Sequence, residues 1–469
     1  MKPRESTTSG AWSYEKAMDY LNSRTNYEKK WPSYGSVTFN LDRMRRLNVL
    51  LGSPHERYPS VHLTGTKGKG STATMVSSIL QAAGLKTGLY TSPHLVNIEE
   101  RIRVDGRDIP HERLAAALQR VSGPAEFMRG VAPPPHPTFF EIFTTAAFCY
   151  FAEEEVDWAV VEVGLGGRLD STNILKPEVA AVTRIGLDHT NVLGDTVEEI
   201  ATEKAGIFKA GVPAVIAPQE ESVERVLRGR AGSLGAEVWG AGKEIEFGDV
   251  QPRPDGYGCR FRVKTPFAEH PGLEIRLIGE HQVENAAVAV GIIDVLRSRG
   301  KLKVTEKAIA EGLAGVEMPG RIEVMGASPW VVIDGAHNPM AIEVLVKAVR
   351  ANFKYRRLVL LFAMATDKDI PGSLDIVLPI VDEVFFTLTN SPRAAKPQML
   401  KHLAQARGKE KAHSEPDESK ALEQALAVTG PEDLLLVTGS LYLAGDLRPV
   451  IQKALAGREG PMSVRGGVF

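Results

Sequence analysis

The stretch SVHLTGTKGKGS at residues 60–71 decides the fold class of this chain of 469 residues. Residues 60–63 predict a short strand, the glycines after them predict a loop, and residues 72–83 predict a helix. A strand, a glycine loop and a helix N-terminus together form an anion site, because backbone N–H groups and the helix dipole point toward the bound phosphate. The pattern therefore predicts a nucleotide phosphate loop, in which Lys69 reaches the β- and γ-phosphates and Ser71 lies beside Mg²⁺.

This loop differs from the usual G-x-x-x-x-G-K-[ST] pattern of nucleoside triphosphatases. The spacer after Gly65 is two residues shorter, and Gly70 separates Lys69 from Ser71. The alternative is a flexible basic loop without a ligand. The strand and the helix on either side of the loop favour the nucleotide site.

The rest of the first half alternates apolar strands with helices, which is typical of a mostly parallel α/β sheet. We expect strands at 87–90, 158–163, 179–183 and 214–217 and helices at 139–152, 197–208 and 282–298, with short antiparallel strands within 236–279. The stretch GVEMPGR at 315–321 is typical of a linker.

A second α/β series follows the linker, with strands expected at 330–333, 358–362, 383–388 and 434–437. We therefore predict two domains. Residues 1–316 would form an ATP-binding P-loop domain with a mostly parallel sheet, and residues 317–469 a smaller, Rossmann-like α/β domain.

Composition excludes several classes of function. Lys and Arg number 56 against 58 Asp and Glu, a net charge of −2, so no global basic excess exists for nucleic acid. The N-terminus has no apolar signal segment, and no run of about 20 apolar residues predicts a membrane span. Two cysteines, Cys149 and Cys259, cannot make a disulfide framework. We expect a cytoplasmic protein that binds small molecules.

Three polar residues follow predicted strands and lie at the sheet edge where α/β proteins bind ligands. Glu162 interrupts the apolar strand WAVVEV, and a carboxylate there needs a cation or a hydrogen-bond partner. His189 and Ser92 follow two other strands, and each alone is as well explained by a structural role. Oxygen ligands and one imidazole, completed by nucleotide phosphates, would suit Mg²⁺. Lys204 alone looks like a helical surface lysine.

Further motifs resemble the folylpolyglutamate synthase and dihydrofolate synthase family of the Mur-ligase-like ATP-dependent amide ligases. The similarity covers nearly the whole chain. It is carried by TGTKGKGS (64–71), YTSPHLVNIEERIRVDG (90–106), TFFE (138–141), EVGLGGRLDSTN (162–173), GLDHTNVLGDTVEEIATEKAGIFK (186–209), HQVENA (281–286), PGR (319–321), DGAHNP (334–339) and TGSLYLAGDLR (438–448).

The resemblance implies roles for individual residues and the Mur ligase architecture for the fold. The implied metal ligands are Ser92, Glu162 and His189, with two Mg²⁺ ions and a carbamylated Lys204. Residues implied in catalysis are Lys69, Lys204 and His337. Residues implied at ATP are Gly68, Lys69, Gly70, Ser71, Asn285, Arg321 and Asp334. Residues implied at the pterin-bearing substrate are Ser36, Val37, Thr38, Phe39, Thr138, Phe139, Phe140, Glu141, Leu169, Asp170 and Ser171.

Two positions depart from the family pattern. Lys67 replaces the common Asn of G-T-N-G-K-G, a variant that some folylpolyglutamate synthases share. The usual G-L-x-R segment reads NLDR at residues 40–43.

The implied reaction is ATP-dependent addition of L-glutamate to a folate, and also or instead to dihydropteroate, through an acyl phosphate. Nucleic acid and membrane are not expected partners, and the family suggests a monomer. One alternative is a Mur-type ligase that acts on a UDP-sugar peptide precursor. Others are a P-loop NTPase switch and a nucleotide-binding module without catalysis.

Overall fold

The computed structural model describes residues 10–27, 40–131, 136–253, 257–391 and 393–456. Its strands are β1 (Ser60–Thr64), β2 (Thr87–Tyr90), β3 (Ile102–Val104), β4 (Arg107–Asp108), β5 (Trp158–Glu162), β6 (Val179–Val182), β7 (Ala214–Ile216), β8 (Val238–Gly240), β9 (Glu246–Pro252), β10 (Cys259–Lys264), β11 (Glu269–Ile275), β12 (Glu323–Ala327), β13 (Trp330–Ile333), β14 (Leu358–Phe362), β15 (Glu383–Phe386), β16 (Ala412–Ser414) and β17 (Leu434–Thr438).

Its α-helices are α1 (Tyr14–Asn22), α2 (Leu41–Leu50), α3 (Lys69–Ala82), α4 (His111–Val131), α5 (Phe139–Glu153), α6 (Thr190–Leu193), α7 (Val197–Ala205), α8 (Glu221–Ser233), α9 (His281–Ser298), α10 (Glu306–Ala314), α11 (Pro339–Asn352), α12 (Ile370–Val377), α13 (Pro397–Gln405), α14 (Glu418–Val428) and α15 (Leu441–Ala456).

The first sheet has eight strands in the order β4-β3-β2-β5-β1-β6-β7-β8. Strands β2, β5, β1, β6, β7 and β8 are parallel, and β3 and β4 add an antiparallel edge. Strands β1 and β5 are buried along their whole length, as expected for a sheet covered on both faces. Because they are parallel, the residues after β1, β2, β5 and β6 lie along one edge.

Helices cover both faces of this sheet. An apolar cluster on one face contains Val61 and Leu63 of β1 together with residues of α3, α9 and α10. The cluster on the other face is built largely from α4 and α5. A small antiparallel sheet, β11-β10-β9, packs against α9 and α10. The prediction of antiparallel strands within 236–279 is therefore confirmed for β9, β10 and β11. It is wrong for β8, which lies in the same region but joins the first sheet parallel to β7.

The second sheet has six strands in the order β12-β13-β17-β14-β15-β16. Only β12 runs antiparallel to its neighbour. Helices α11 and α12 pack on one face and α14 and α15 on the other, which gives the doubly wound arrangement expected from the sequence. Residues 315–322 connect α10 to β12 and separate the two sheets.

A loop of the first sheet contacts the second domain directly. Leu95, in the loop after β2, packs against the apolar cluster that contains α14 and α15. A Cβ built on Gly445 of α15 would lie 2.0 Å from the Leu95 carbonyl oxygen, so only glycine permits this approach. None of the helices in the part of the chain that the structure describes is both long and apolar enough to span a bilayer.

Candidate active site

The phosphate loop, residues 65–71, connects β1 to the first turn of α3. Gly68 lies immediately before the helix with φ of +89°, and a Cβ there would lie 2.2 Å from Asn285 Oδ1. Glycine is therefore needed both for the backbone conformation and for the approach of Asn285. Helix α3 begins three residues earlier than the sequence predicted, so its free N–H groups belong to the loop itself. This geometry is suited to a bound phosphate.

The Lys69 side chain lies between the phosphate loop and Glu162. Its Nζ donates a hydrogen bond to the Gly65 carbonyl at 3.0 Å and lies 3.9 Å from Glu162 Oε1. An ammonium group held by one carbonyl and one distant carboxylate keeps donor capacity for a phosphate oxygen. Ser71 is buried in the first turn of α3, next to the same loop.

Glu162 ends β5 and is 4% exposed. Its Oε2 accepts a hydrogen bond from the backbone N–H of Ser92 at 3.1 Å, which brings together two of the three expected metal ligands. Burial raises the pKa of this carboxyl, and the charge of Lys69 partly offsets that effect. A Cβ on Gly70 would lie 3.5 Å from Glu162 Oε2, so the carboxylate also adjoins the phosphate loop.

His189, the third expected ligand, follows β6 and adopts φ of +51°. Its Nε2 lies 3.8 Å from Asp188 Oδ1, and Asp188 Oδ2 lies 3.5 Å from Lys67 Nζ. Burial lowers the pKa of His189 to about 4. The imidazole is therefore neutral at neutral pH, which is the form that binds a metal. Burial opposes ionisation of Asp188, but Lys67 and His189 lower its pKa to about 2.

Lys204 is buried beneath the phosphate loop rather than exposed on helix α7. It is 4% exposed, and its Nζ donates to the Gly65 carbonyl at 2.8 Å, the same oxygen that Lys69 contacts. Burial first, and the neighbouring Lys69 charge second, lower the pKa of Lys204 to about 7. A cavity of about 40 Å³ adjoins it, lined by Thr64, Gly65, Thr66, Lys69, Val163, Gly164, Leu165, Gly166, Asp188, His189, Leu193 and Lys204.

The second domain contributes Asp334 and His337 to the cleft. Asp334 Oδ2 accepts from Ile322 N at 2.9 Å and its Oδ1 accepts from Ala336 N at 2.7 Å, so this carboxylate ties the linker to the end of β13. Burial raises the pKa of Asp334, against the charge of Arg321. Burial lowers the pKa of His337 to about 4, and its Nδ1–H donates to the Gly335 carbonyl at 2.9 Å. Its Nε2 is thus left as an acceptor.

Lys368 is a site residue that the sequence reasoning missed. It follows β14 in the segment TDKD at 366–369, and its charge acts on Asp188, His189 and His337. The residue is half-buried. A lysine in the loop that follows a parallel strand was the available signal, since that edge of the sheet is where ligands bind.

The expected acceptor-substrate residues lie around one loop, except for Ser36, Val37, Thr38 and Phe39, which fall outside the described residues. Thr138 and Glu141 form the capping box of α5, and Glu141 also pairs with Arg43 at 2.9 Å. These two residues therefore order the start of α5. A Cβ on Gly164 would lie 2.4 Å from Phe140 Cζ, which places that ring against the loop after β5.

The loop after β5, residues 164–171, is organised around the buried carboxylate of Asp170. Its Oδ2 accepts from Leu165 N at 2.9 Å and its Oδ1 from Thr172 N at 2.9 Å and Thr172 Oγ1 at 2.5 Å. Burial raises the pKa of Asp170, while these donors lower it. Leu169 and Ser171, on either side, remain partly exposed.

The donor set fits Mg²⁺ only with help from a ligand. Within the described ranges, no three His, Cys, Asp or Glu side chains lie together in a way that could hold a metal ion. Glu162, Ser92 and a neutral His189 leave most coordination positions to phosphate oxygens and water. Mg²⁺ commonly binds proteins in this way.

Comparisons with known proteins find matches to both domains. The Mur ligase middle domain matches residues 63–293, and the Mur ligase glutamate ligase domain matches residues 320–441. The chain is 33% identical over 436 residues to the dihydrofolate synthase/folylpolyglutamate synthase of Bacillus subtilis (strain 168), covering 93% of this chain and 98% of that protein.

Two solved structures are similar over almost the whole chain. The folylpolyglutamate synthase of Mycobacterium tuberculosis complexed with ADP superposes with a TM-score of 0.84 at 32% identity, covering 93% of this chain and 98% of that one. The Escherichia coli FolC protein in complex with DHPP and ADP superposes with a TM-score of 0.82 at 32% identity, covering 95% and 99%.

Proposed function

The chain belongs to the folylpolyglutamate synthase/dihydrofolate synthase family of Mur ligases, and we propose that it uses ATP to join L-glutamate to a folate, to dihydropteroate, or to both. The observation that carries this proposal is the convergence of two domains on one cleft. The phosphate loop and Glu162 come from the first domain, and Asp334, His337 and Lys368 come from the second. The boundary at residues 316/317 is part of the proposal.

The reaction has two chemical steps. A carboxylate oxygen of the acceptor attacks the γ-phosphorus of ATP, and ADP leaves. The amine nitrogen of glutamate then attacks the acyl carbon, loses a proton, and inorganic phosphate leaves. Both steps place negative charge on oxygens in the cleft, so fixed donors and cations there lower the barriers. We assign that role to the loop N–H groups of Gly68 and Gly70 and to Lys69.

ATP would span the two domains. In this proposal Ser71 and the loop hold the phosphates, while Asn285, Arg321 and Asp334 complete the nucleotide site. Asp334 already binds the backbone of the linker, so its position reports the orientation of the second domain. Closure of the two domains excludes water, which would otherwise hydrolyse the acyl phosphate.

Two Mg²⁺ ions are part of the proposal, with Ser92, Glu162 and His189 as their protein ligands. The metal would supply charge neutralisation at the transferring phosphoryl group and at the oxyanion of the second step. Replacing Glu162 by Gln removes an anionic ligand, so we expect half-maximal activity to require more magnesium. A wild-type magnesium titration for this variant would contradict the assignment.

Lys204 is proposed to carry a carbamate. The neutral amine attacks CO₂ and releases a proton, which converts a cation beneath the phosphate loop into an anionic oxygen ligand for Mg²⁺. A pKa of about 7 supports this step because much of the amine is neutral near neutral pH. The alternative, an ion pair with a surface Glu, is not favoured, since the amine is buried and bonded to Gly65.

We assign the incoming glutamate to the side of the cleft that Lys368 faces. Its ammonium can bind a substrate carboxylate, and the neutral His337 Nε2 can accept a hydrogen bond from the incoming amine. Lys368→Ala should raise the KM for glutamate with little effect on the KM for ATP. Equal changes in both constants would contradict the assignment.

The pterin-bearing acceptor is assigned to the loop at 164–171 and to Phe140, with Phe139 buried behind them. Residues 36–39 belong to the same proposed site. We also propose a monomer, as the resemblance to the family suggests.

The competing functions predict different substrates. A ligase for UDP-sugar peptide precursors would release ADP only with such a precursor, and a P-loop switch would hydrolyse ATP without any acceptor. The test is ADP release with L-glutamate plus dihydropteroate, tetrahydrofolate or a UDP-peptide precursor. We expect release that depends on both glutamate and a pterin-bearing acceptor, and release without an acceptor would favour the switch.

A further inference from the structure

We propose that His62 and Thr172 are positioning residues for the acceptor substrate, because they fix the loop at 164–171 against strand β1. The inference rests on the proposed function, from which it takes the contact between this loop and the pterin-bearing substrate. Neither side chain touches the phosphates or the reacting carboxylate in this account. Their effect is on where the loop presents Leu169 and Ser171.

Strand β1 holds the loop from one of its two faces. Side chains alternate along a strand, so Val61 and Leu63 pack in the cluster with α3, while His62 and Thr64 point to the opposite face. Thr64 Oγ1 donates to the Gly166 carbonyl at 2.7 Å, and His62 Nε2 lies 2.8 Å from Thr172 Oγ1. The two residues thus secure the middle and the end of the loop.

The hydrogen bonds that link His62, Thr172 and Asp170 have directions set by the Asp170 carboxylate, which is the final acceptor. A carboxylate only accepts, so the hydroxyl of Thr172 gives its single proton to Asp170 Oδ1 at 2.5 Å. His62 must then donate its Nε2–H to Thr172 Oγ1, which fixes the tautomer and leaves Nδ1 bare. His62 and Thr172 form one buried series of donors that ends on the buried carboxylate of Asp170.

A buried histidine at position 62 lowers the stability of the fold, and its hydrogen bond to Thr172 offers a reason for its presence. The residue is fully buried, and its Nδ1 has no hydrogen-bond partner. An unpaired buried acceptor destabilises the fold, and an aliphatic residue at this place would avoid it. The useful feature of the histidine is therefore the Nε2 donor.

Three variants separate this role from general destabilisation. His62→Leu removes the donor, while His62→Gln restores an N–H donor at about the same distance from the backbone. Val61→Ala is the matched control, because it disturbs the adjacent core position on the opposite face of β1. Dissociation constants for dihydropteroate, tetrahydrofolate and ADP are measured for each protein by calorimetry, with melting curves recorded alongside.

We expect His62→Leu to bind the pterin-bearing ligands about tenfold more weakly, the consequence of one lost hydrogen bond and a stranded hydroxyl. Binding of ADP should stay within about twofold, since the phosphate loop is untouched. His62→Gln should recover most of the loss, and Val61→Ala should lower the melting temperature without weakening pterin binding. Equal weakening of ADP and pterin binding in His62→Leu, or unchanged pterin binding, would overturn the inference.

The tautomer gives a readout that does not depend on substrates or on variants. Nitrogen-15 spectra of the histidine-labelled wild-type protein should show His62 protonated on Nε2 and bare on Nδ1. The opposite tautomer would overturn the inference even if His62→Leu fails to fold. If the wild-type protein binds ADP but neither pterin ligand, the proposed function fails instead, and the tautomer remains as the separate test of the hydrogen-bonded chain.

Discussion

Ligation should depend on carbon dioxide through Lys204. Burial beneath the phosphate loop lowers the pKa of this lysine from 10.5 to about 7. At pH 7 about half of the side chains are then neutral, against about 3 in 10,000 at a pKa of 10.5. Only the neutral amine reacts with CO₂, so the protein increases the reactive fraction on the order of a thousandfold.

The assay is ADP release in buffers purged of CO₂ and then supplemented with bicarbonate, over a series of pH values. Activity should fall on purging and return with bicarbonate, and it should decline below about pH 7, where the amine is protonated. Between about pH 7 and 10.5 the Lys204 amine is protonated in the unfolded chain but neutral in the folded protein. Because the unfolded state binds more protons in this range, Lys204 makes the free energy of unfolding increase as the pH rises through it.

Lys204→Ala should be inactive and partly rescued by acetate, whose oxygens replace those of the carbamate. Lys209→Ala is the matched control: its amine is also partly buried with a pKa lowered to about 8, but it bonds to Asn173 and should retain CO₂ dependence. Full activity of Lys204→Ala without acetate would exclude a required carbamate on Lys204. A ¹³CO₂-labelled protein that shows no carbamate signal while fully active would exclude it equally.

Three further outcomes are expected. Lys69→Ala should abolish ligation while the melting temperature stays near that of the wild type, and unchanged turnover at saturating ATP would contradict its role at the phosphates. Gly445→Ala should weaken ATP-dependent domain closure and lower kcat, because the new Cβ would clash with the Leu95 carbonyl oxygen. The control is Gly229→Ala in helix α8, where a Cβ would meet no atom within 4 Å and activity should be unchanged. Equal effects of the two substitutions in an ADP-release assay would contradict this prediction. Burial raises the thiol pKa of Cys149 to about 12 and that of Cys259 to about 11, so both thiols stay protonated and unreactive at neutral pH. Replacing both by Ala should therefore leave the specific activity within a few-fold of the wild type, and a larger loss in a folded variant would reveal a thiol function.

The fold was predictable wherever a local pattern determined it. The buried strands β1 and β5 and the apolar helix α5 follow from continuous apolar runs bounded by turn residues. The short edge strands β3, β4 and β16 were not predicted, because two or three residues carry no period and are fixed only by pairing with a neighbour. The predicted helix at 197–208 ends at Ala205 instead, and a turn follows it.

The candidate site was predictable in part, for the same reason. The phosphate loop follows from its own residues, and Glu162 stood out as a carboxylate at the end of an apolar strand. The burial of Lys204 could not be predicted, because it depends on a hydrogen bond to the Gly65 carbonyl, which is distant in the sequence. Lys368 was missed because its neighbours Asp188 and His337 come together only through the packing of two domains.

The path of one oxygen atom through the ligation shows whether an acyl phosphate forms. The acceptor carboxylate of dihydropteroate or tetrahydrofolate is labelled with ¹⁸O, and the enzyme is supplied with ATP and L-glutamate. We expect one ¹⁸O atom in the released inorganic phosphate for each acceptor that gains the mass of a glutamyl residue, because the carboxylate oxygen that attacks phosphorus leaves with the phosphate. ADP release with unlabelled phosphate, or with no lengthened acceptor, would contradict it.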